Sequence, residues 1–186
     1  MSDFSLVNHF LVAMPGLADP NFHQTVTLIC VHNEEGAMGL VINRPTDLRL
    51  QQVLEQMDLA SSNTAVNNQT VYEGGPVQRD HGFILHRPDT QWNSTLNVSE
   101  SLAVSTSRDV LEAISHGEGP AMTLVTLGYA GWGAGQLEEE INSNSWLTVP
   151  VNNAIIFDLP AESRWRAAVT ELGIDPASLM SEAGHA

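Results

Sequence analysis

The stretch from Gly128 to Trp146, GYAGWGAGQLEEEINSNSW, constrains this chain more than any other. It gathers four of the fourteen glycines, two of the four tryptophans and an unbroken run of three glutamates. The apolar run Ala121 to Leu127 leads into it. The order reads strand, glycine-rich turn, helix. Glycine lets the backbone take positive φ and lets another surface approach closely. Gly128, Gly131, Gly133 and Gly135 in one turn therefore ask for an unusual backbone, and this element is the leading functional candidate.

The rest of the chain supplies a sheet and its covering helices. Phe10 to Ala13 is a strand, broken by Pro15-Gly16, with a loop to about Gln24. Val26 to His32 and Met38 to Asn43 form a hairpin across Asn33-Glu-Glu-Gly36. Leu50, Val53, Leu54 and Met57 recur at helical spacing. Ala60 to Gln69 reads as a surface loop. Thr70 to Glu73 and Gly82 to His86 read as strands, and Leu96 with Val98 as a strand edge. Val110, Ala113 and Ile114 give a helix that Gly117 ends. Leu147 to Val149 is extended. Ala154 to Phe157 reads as a strand ending in Asp158. Trp165, Ala168, Val169 and Leu172 mark a last helix capped by Gly173-Ile174. Asp175-Pro176 starts a short tail that frays over 181–186. Gly39 to Met57 and Thr123 to Ile141 share an order of strand, turn and helix, a weak hint of internal duplication. Hairpins mixed with strand–helix alternations point to an α+β fold in one domain with a mixed sheet.

Charge removes several functions. The chain carries a net charge of −15, and all seven of its basic residues are arginine. Without lysine there is no Schiff-base lysine, no Walker phosphate-loop lysine and no Ser-Lys nucleophile pair. Acidity and scattered arginines also count against direct DNA binding, because affinity for the phosphate backbone comes from clustered Lys and Arg. The start of the chain lacks a basic, apolar export signal, and no run is long enough to cross a membrane. A cytoplasmic location is expected. The single cysteine, Cys30, reads as a packed core thiol. His32, two residues on, would share its face and could lower its pKa.

Three stretches carry a family resemblance: LVAMPGLADPN (Leu11 to Asn21) with VHNEEGAMGLVINRP (Val31 to Pro45), EGGPVQRDHGFILHR (Glu73 to Arg87), and GYAGWGAGQLEEEI. With these motifs the chain resembles the AlgH/YqgE family of bacterial proteins over nearly its whole length. The resemblance implies an α+β fold with a mixed, barrel-like sheet flanked by helices, and a cytosolic location. It implies little about activity, although one branch carries the label of a transcriptional regulator of alginate synthesis. Positions that match the family pattern include Pro15, Gly16, Gly39, Asn43, Arg44, Pro45, Gly74, Gly75, Pro76, Gly128, Tyr129, Gly131, Trp132, Gly133, Gln136, Leu137, Glu138, Glu140 and Trp146. Ala134 stands where many members carry Pro. Leu159 stands where a hydroxyl cap is usual, which removes about 1 kcal/mol from the last helix.

The residues themselves name no reaction. Gly131-Trp-Gly133-Ala-Gly135 before a helix resembles half a dinucleotide fingerprint. Gln136 replaces its third glycine, Asp158 lies too far on for the ribose acid, and Glu138 to Glu140 bring negative charge to the first turn. A tight turn packed on a neighbouring strand is the preferred reading. Glu138 and Glu140 flank the inward face marked by Leu137 and Ile141, and Glu139 points out. A pair at i, i+2 does not converge as a general acid and base. The preferred role for Glu138 or Glu140 is to bind an arginine or backbone N–H and fix the turn. The seven histidines show no metal spacing. No G-x-S-x-G elbow is present.

The expected protein is therefore a non-enzymatic regulatory or binding protein, with no catalytic residue, metal or cofactor. Its expected surface joins Asn43, Arg44 and Pro45, Gly74, Gly75 and Pro76, and Gly128, Tyr129, Gly131, Trp132, Gly133, Gln136, Glu138 and Glu140. Trp132 and Tyr129 would supply contact area to a protein or small-molecule partner. The alternative is an enzyme or nucleotide binder using the same loops, with Glu138 or Glu140 as its acid-base group.

Overall fold

A computed structural model describes residues 5–15 and 23–183, the side chains of 180–183 excepted. Gly16 and the rest of 16–22, and the end at 184–186, lie outside the described residues. Ten strands join in one mixed sheet, curled into a half-barrel, with seven helices among the described residues. The expected α+β class is observed. The sheet runs β10 (Trp146–Pro150), β1 (His9–Ala13), β2 (Val26–Asn33), β3 (Gly36–Val41), β9 (Thr123–Gly133), β6 (Val77–His86), β8 (Ala103–Ser105), β7 (Thr95–Asn97). Beside this path β4 (Pro45–Arg49) pairs β5 (Thr70–Glu73), and β5 pairs β9 in parallel.

The long strand β9 is the spine. Its edge opposite β6 is shared end to end by two partners. β5 takes Val125 to Leu127, and β3 takes Ala130 to Gly133. The change of partner falls at Gly128 and Tyr129. Gly128 has φ +79°, which breaks the strict alternation of faces. Val125 and Leu127 pack with Leu50, Leu54, Val71 and Ile84 beneath α1 (Leu50–Gln56) and α3 (Arg108–Ser115). Tyr129, at the same parity, packs instead against the cluster of Phe10, Leu28, Leu40, Ile42 and Trp165. Ala130 and Trp132 join a third cluster with Leu11, Ile29, Trp146 and Leu137, the buried residue of α4 (Gln136–Asn142).

Several elements differ from expectation. Gly128, Gly131 and Gly133 lie in β9, not in a turn, because β3 pairs Gly131 and Gly133 and β6 pairs the strand on either side of Gly128. Only Ala134 and Gly135 turn the chain, and Gly135 caps α4 with φ +76°. Ala154 to Phe157 belongs to a helix, α5 (Asn153–Phe157), not a strand: the Asn152 side chain caps it, and Ile155 and Ile156 point into the core together. The loop at 60–69 holds α2 (Thr64–Asn67), capped by Asn63. The tail forms α7 (Pro176–Ala183), which includes 181–183. The last helix, α6 (Ala161–Glu171), takes Pro160 as its cap, so Leu159 is one residue outside the cap and packs on the core instead. Strand β4 intervenes between β3 and α1, so the two strand–turn–helix segments are not equivalent units.

Candidate functional site

The three glycine-bearing motifs meet where β9 changes partner. Val41 N–H donates to the Gly74 carbonyl (2.8 Å), Glu73 N–H to the Arg44 carbonyl (2.8 Å), and Gly74 N–H to the Leu127 carbonyl (2.7 Å). Backbone packs on backbone here. A Cβ on Gly75 would sit 2.1 Å from the Tyr129 carbonyl carbon, and one on Gly128 2.4 Å from the Gly75 oxygen. Gly74, Gly75 and Gly128 are buried; Asn43, Arg44, Pro76 and Tyr129 are partly exposed and Pro45 exposed. Asn43 ties the junction to β2: its Oδ1 accepts from Val26 N–H (2.9 Å) and its Nδ2 donates to the Gln24 carbonyl (3.0 Å). Arg44 Nη2 donates to the His23 carbonyl (3.3 Å). The glycines thus build a crossing of three strands.

The second half of the candidate set is a carboxylate network. Glu140 Oε1 accepts from both indoles, Trp132 Nε1 at 3.0 Å and Trp146 Nε1 at 2.9 Å. Its Oε2 accepts from Gln136 Nε2 (2.9 Å), and Gln136 Oε1 accepts from Gly133 N–H (3.0 Å). The two indole rings meet edge to face at 6.2 Å between centroids. Trp132 is only 6% exposed, which corrects the expectation that it offers contact area. Strand parity explains the correction: Ala130 and Trp132 face the core, while Gly131 and Gly133 face solvent.

Glu138 is held by His32. Leu6 N–H donates to His32 Nδ1 (3.0 Å), so Nε2 carries the ring proton and donates to Glu138 Oε1 (2.8 Å). His32 reaches this face through a β-bulge. Ile29 pairs Gly39 and Val31 pairs Met38, which leaves Cys30 as an extra residue. One inserted residue moves every later side chain to the other face. Cys30 therefore packs in the cluster of Leu28 and Leu40, while His32 points to α4. The expected Cys30–His32 pairing is not formed. Burial instead pushes the Cys30 thiol up to about 12.

Two features escaped the sequence. Ser105 Oγ donates to His86 Nε2 (2.7 Å) while His86 Nδ1 donates to the Arg87 carbonyl (2.7 Å), the geometry of a nucleophile and base. Both residues are 0% exposed, so the pair staples β6 to β8 and no substrate reaches it. The other feature is an excursion in β6. Val77 pairs Tyr129 and Gly82 pairs Leu127, so Gln78, Arg79, Asp80 and His81 stand opposite the single residue Gly128. All four are exposed, as is Val77. Gln78 takes φ +47°, and its Oε1 accepts from His81 Nδ1 (2.8 Å). The only signal in the sequence was the polar run QRDH between a glycine-proline turn and an apolar strand. Among the described residues no group of three His, Cys, Asp or Glu side chains has a metal-binding arrangement. No described helix is long and apolar enough to cross a membrane.

Comparison with known proteins decides the family. A family model described as AlgH-like matches residues 10–177. The chain belongs to the AlgH-like family. Among members of that family, a UPF0301 protein of Thioalkalivibrio sulfidiphilus is 56% identical, with 98% of this chain and 97% of the relative covered. One from Methylococcus capsulatus is 54% identical over 97% of this chain and 96% of its own. The solution structure of the AlgH protein from Pseudomonas aeruginosa superposes with a TM-score of 0.82 at 53% identity, covering 100% of this chain and 98% of that one. A Corynebacterium diphtheriae protein shares the fold at a TM-score of 0.75 and 18% identity, covering 98% and 94% of the two chains.

Proposed function

We propose that this AlgH-like protein is a cytoplasmic regulatory protein that acts by binding a protein partner, without a chemical step of its own. The observation that carries the reading is the exposed excursion Gln78–His81, held out of β6 over Gly128. A glutamine at positive φ costs on the order of 1 kcal/mol or more and persists only where neighbours enforce it. Bulges of this kind re-aim side chains toward functional surfaces. The knob carries Arg79, loosely paired with Glu73 at 3.7 Å, then Asp80 and His81, beside the exposed Val77. A convex knob of mixed charge with one apolar flank suits a protein surface; small ligands favour concave sites. The net charge of −15 opposes nucleic acid.

Pro76, Tyr129 and the solvent-facing Gly131 continue the surface from the original candidate set. Glu138 and Glu140 fall outside the proposed contact, since their carboxylates are engaged with His32, two indoles and Gln136. The test is site-specific photo-crosslinking in cells, with the reactive residue at Asp80 and, as a control, at the exposed Asp89. A discrete heavier adduct from position 80 and none from 89 is expected. Equal labelling at both positions, or none at 80, contradicts the proposal.

A further inference from the structure

Away from the knob, a cavity of about 210 Å³ opens between β5, the start of β9, α5 and α6. Its lining includes Gln69, Thr70, Tyr72, Thr123, Phe157 and Arg164. In a chain with 22 acidic residues, none of the residues lining it is acidic. Arg164 is only 3% exposed and makes no ion pair among the described residues. Its Nε donates to the Leu159 carbonyl (3.2 Å), its Nη1 to the Ile42 carbonyl, and Tyr72 lies 5.0 Å from the guanidinium carbon. Those contacts tie α6 to the residue that follows β3 and to β5, and among the described residues Nη2 has no protein acceptor. Nη2 is not sealed from its surroundings, and Arg164 lines the cavity.

A buried charge without a counter-ion is costly; a buried guanidinium is ordinarily met by a carboxylate or phosphate. The nearest acids along the chain, Glu162 and Asp158, are both exposed, and among the described residues neither pairs with it. The other wall adds donors. Thr70 Oγ1 accepts from Arg49 Nη1 (3.2 Å), which leaves the Thr70 hydroxyl proton for another acceptor. Gln69 Oε1 takes the Thr123 hydroxyl at 3.4 Å, which turns the amide's own two protons to other partners. Leu124, Ile156 and Phe157 supply an apolar floor.

We infer that this cavity binds a small organic carboxylate, with Arg164 Nη2, the Thr70 hydroxyl and the Gln69 amide on its oxygens and a short carbon body on Phe157. Because Nε and Nη1 are committed, the guanidinium contacts the ligand end-on and not as a bidentate fork. The volume lies below the roughly 300 Å³ at which drug-sized sites begin, so hydroxy- and keto-acids of a few carbons fit. This inference is independent of the knob and of the partner proposed above.

The test is a ¹⁵N–¹H titration of the full chain with L-lactate, pyruvate and L-malate, with lactamide as the uncharged control and inorganic phosphate as a second anion. Saturable shifts at residues 69, 70, 72 and 123 and at the Arg164 side chain are expected for at least one acid, with a Kd below about 10 mM. Lactamide should bind at least tenfold more weakly. Arg164→Met removes the charge; should that chain fail to fold, Thr70→Val, which keeps the β-branch and the strand, should still weaken the acid at least threefold. No saturation with any acid, equal response to lactamide, shifts centred elsewhere, or phosphate acting alone at these residues would overturn the assignment.

Discussion

Replacing Glu140 probes the network that turns the most conspicuous motif of this chain into a support. Its Oε1 is the acceptor for two indole N–H groups, on Trp132 at 6% and Trp146 at 4% exposure. A buried donor left without a partner costs about 1–3 kcal/mol. Two of them set an upper range of about 2–6 kcal/mol, and the partial exposure of Glu140 lets water recover some of it. Glu140→Ala should therefore lose about 3 kcal/mol in urea unfolding followed by circular dichroism. Glu140→Gln should lose about 1 kcal/mol, since its oxygen still accepts while its amide faces the Gln136 Nε2 donor. The decisive step is a double-mutant cycle. In a Trp132→Phe, Trp146→Phe background the donors are gone, and Glu140→Ala should cost only about 1 kcal/mol. A coupling under about 0.5 kcal/mol would show that the indoles are not what the carboxylate serves, and the argument against an acid-base role for Glu140 would fail with it.

Other outcomes follow from the same geometry. Gly75→Ala and Gly128→Ala place a Cβ within 2.4 Å of backbone and at positive φ, so each should cost at least about 3 kcal/mol or prevent folding. Gly82→Ala, whose nearest neighbour is a Leu127 methyl at 4.0 Å, should stay within about 1 kcal/mol by the same unfolding assay. Cys30 should resist thiol reagents at pH 8 until the chain unfolds. Because its folded pKa is raised from 9.0 to about 12, the unfolded thiol ionises first. Stability should be unaffected by this group below pH 9 and fall by about 1.4 kcal/mol per pH unit from there toward 12, a slope that Cys30→Ala should remove. Asp109 shows the opposite sign. Burial alone would raise its pKa, but hydrogen bonds from Ser107 and the Asn93 and Val110 amides hold it below the usual value. Its contribution is present above about pH 4 and should fade as pH falls through the lowered value, read as a loss absent in Asp109→Asn.

Much of the fold was legible because period and punctuation agree in most elements. The α1 stripe of Leu50, Val53, Leu54 and Met57 is one such case, and the hairpin of β2 and β3 another. Failures arise where two readings share one pattern. Ala154 to Phe157 is a short apolar run, and only the Asn152 cap tips it to helix. The glycines of β9 resemble a turn, and strand pairing with β3 and β6 overrides them. The bulge at Cys30 leaves no trace in composition, so the meeting of His32 with Glu138 across 106 residues was out of reach of the sequence. The same holds for Arg164, which reads as one more surface arginine on an amphipathic helix until Ile42 and Tyr72 enclose it. The motifs Asn43-Arg44-Pro45, Gly74-Gly75-Pro76 and Gly128-Tyr129 were identified as belonging together, and the crossing of β3, β5 and β9 gives the physical reason.

On the function proposed above, recognition resides in the knob over Gly128, with the glycine crossing as its mount. The most direct measurement is the affinity of purified chain for the partner captured from position 80, by isothermal titration, for wild type and for Arg79→Ala with His81→Ala. At least a tenfold loss with an unchanged melting temperature is expected. Undiminished affinity in the double variant would place the contact elsewhere and contradict it.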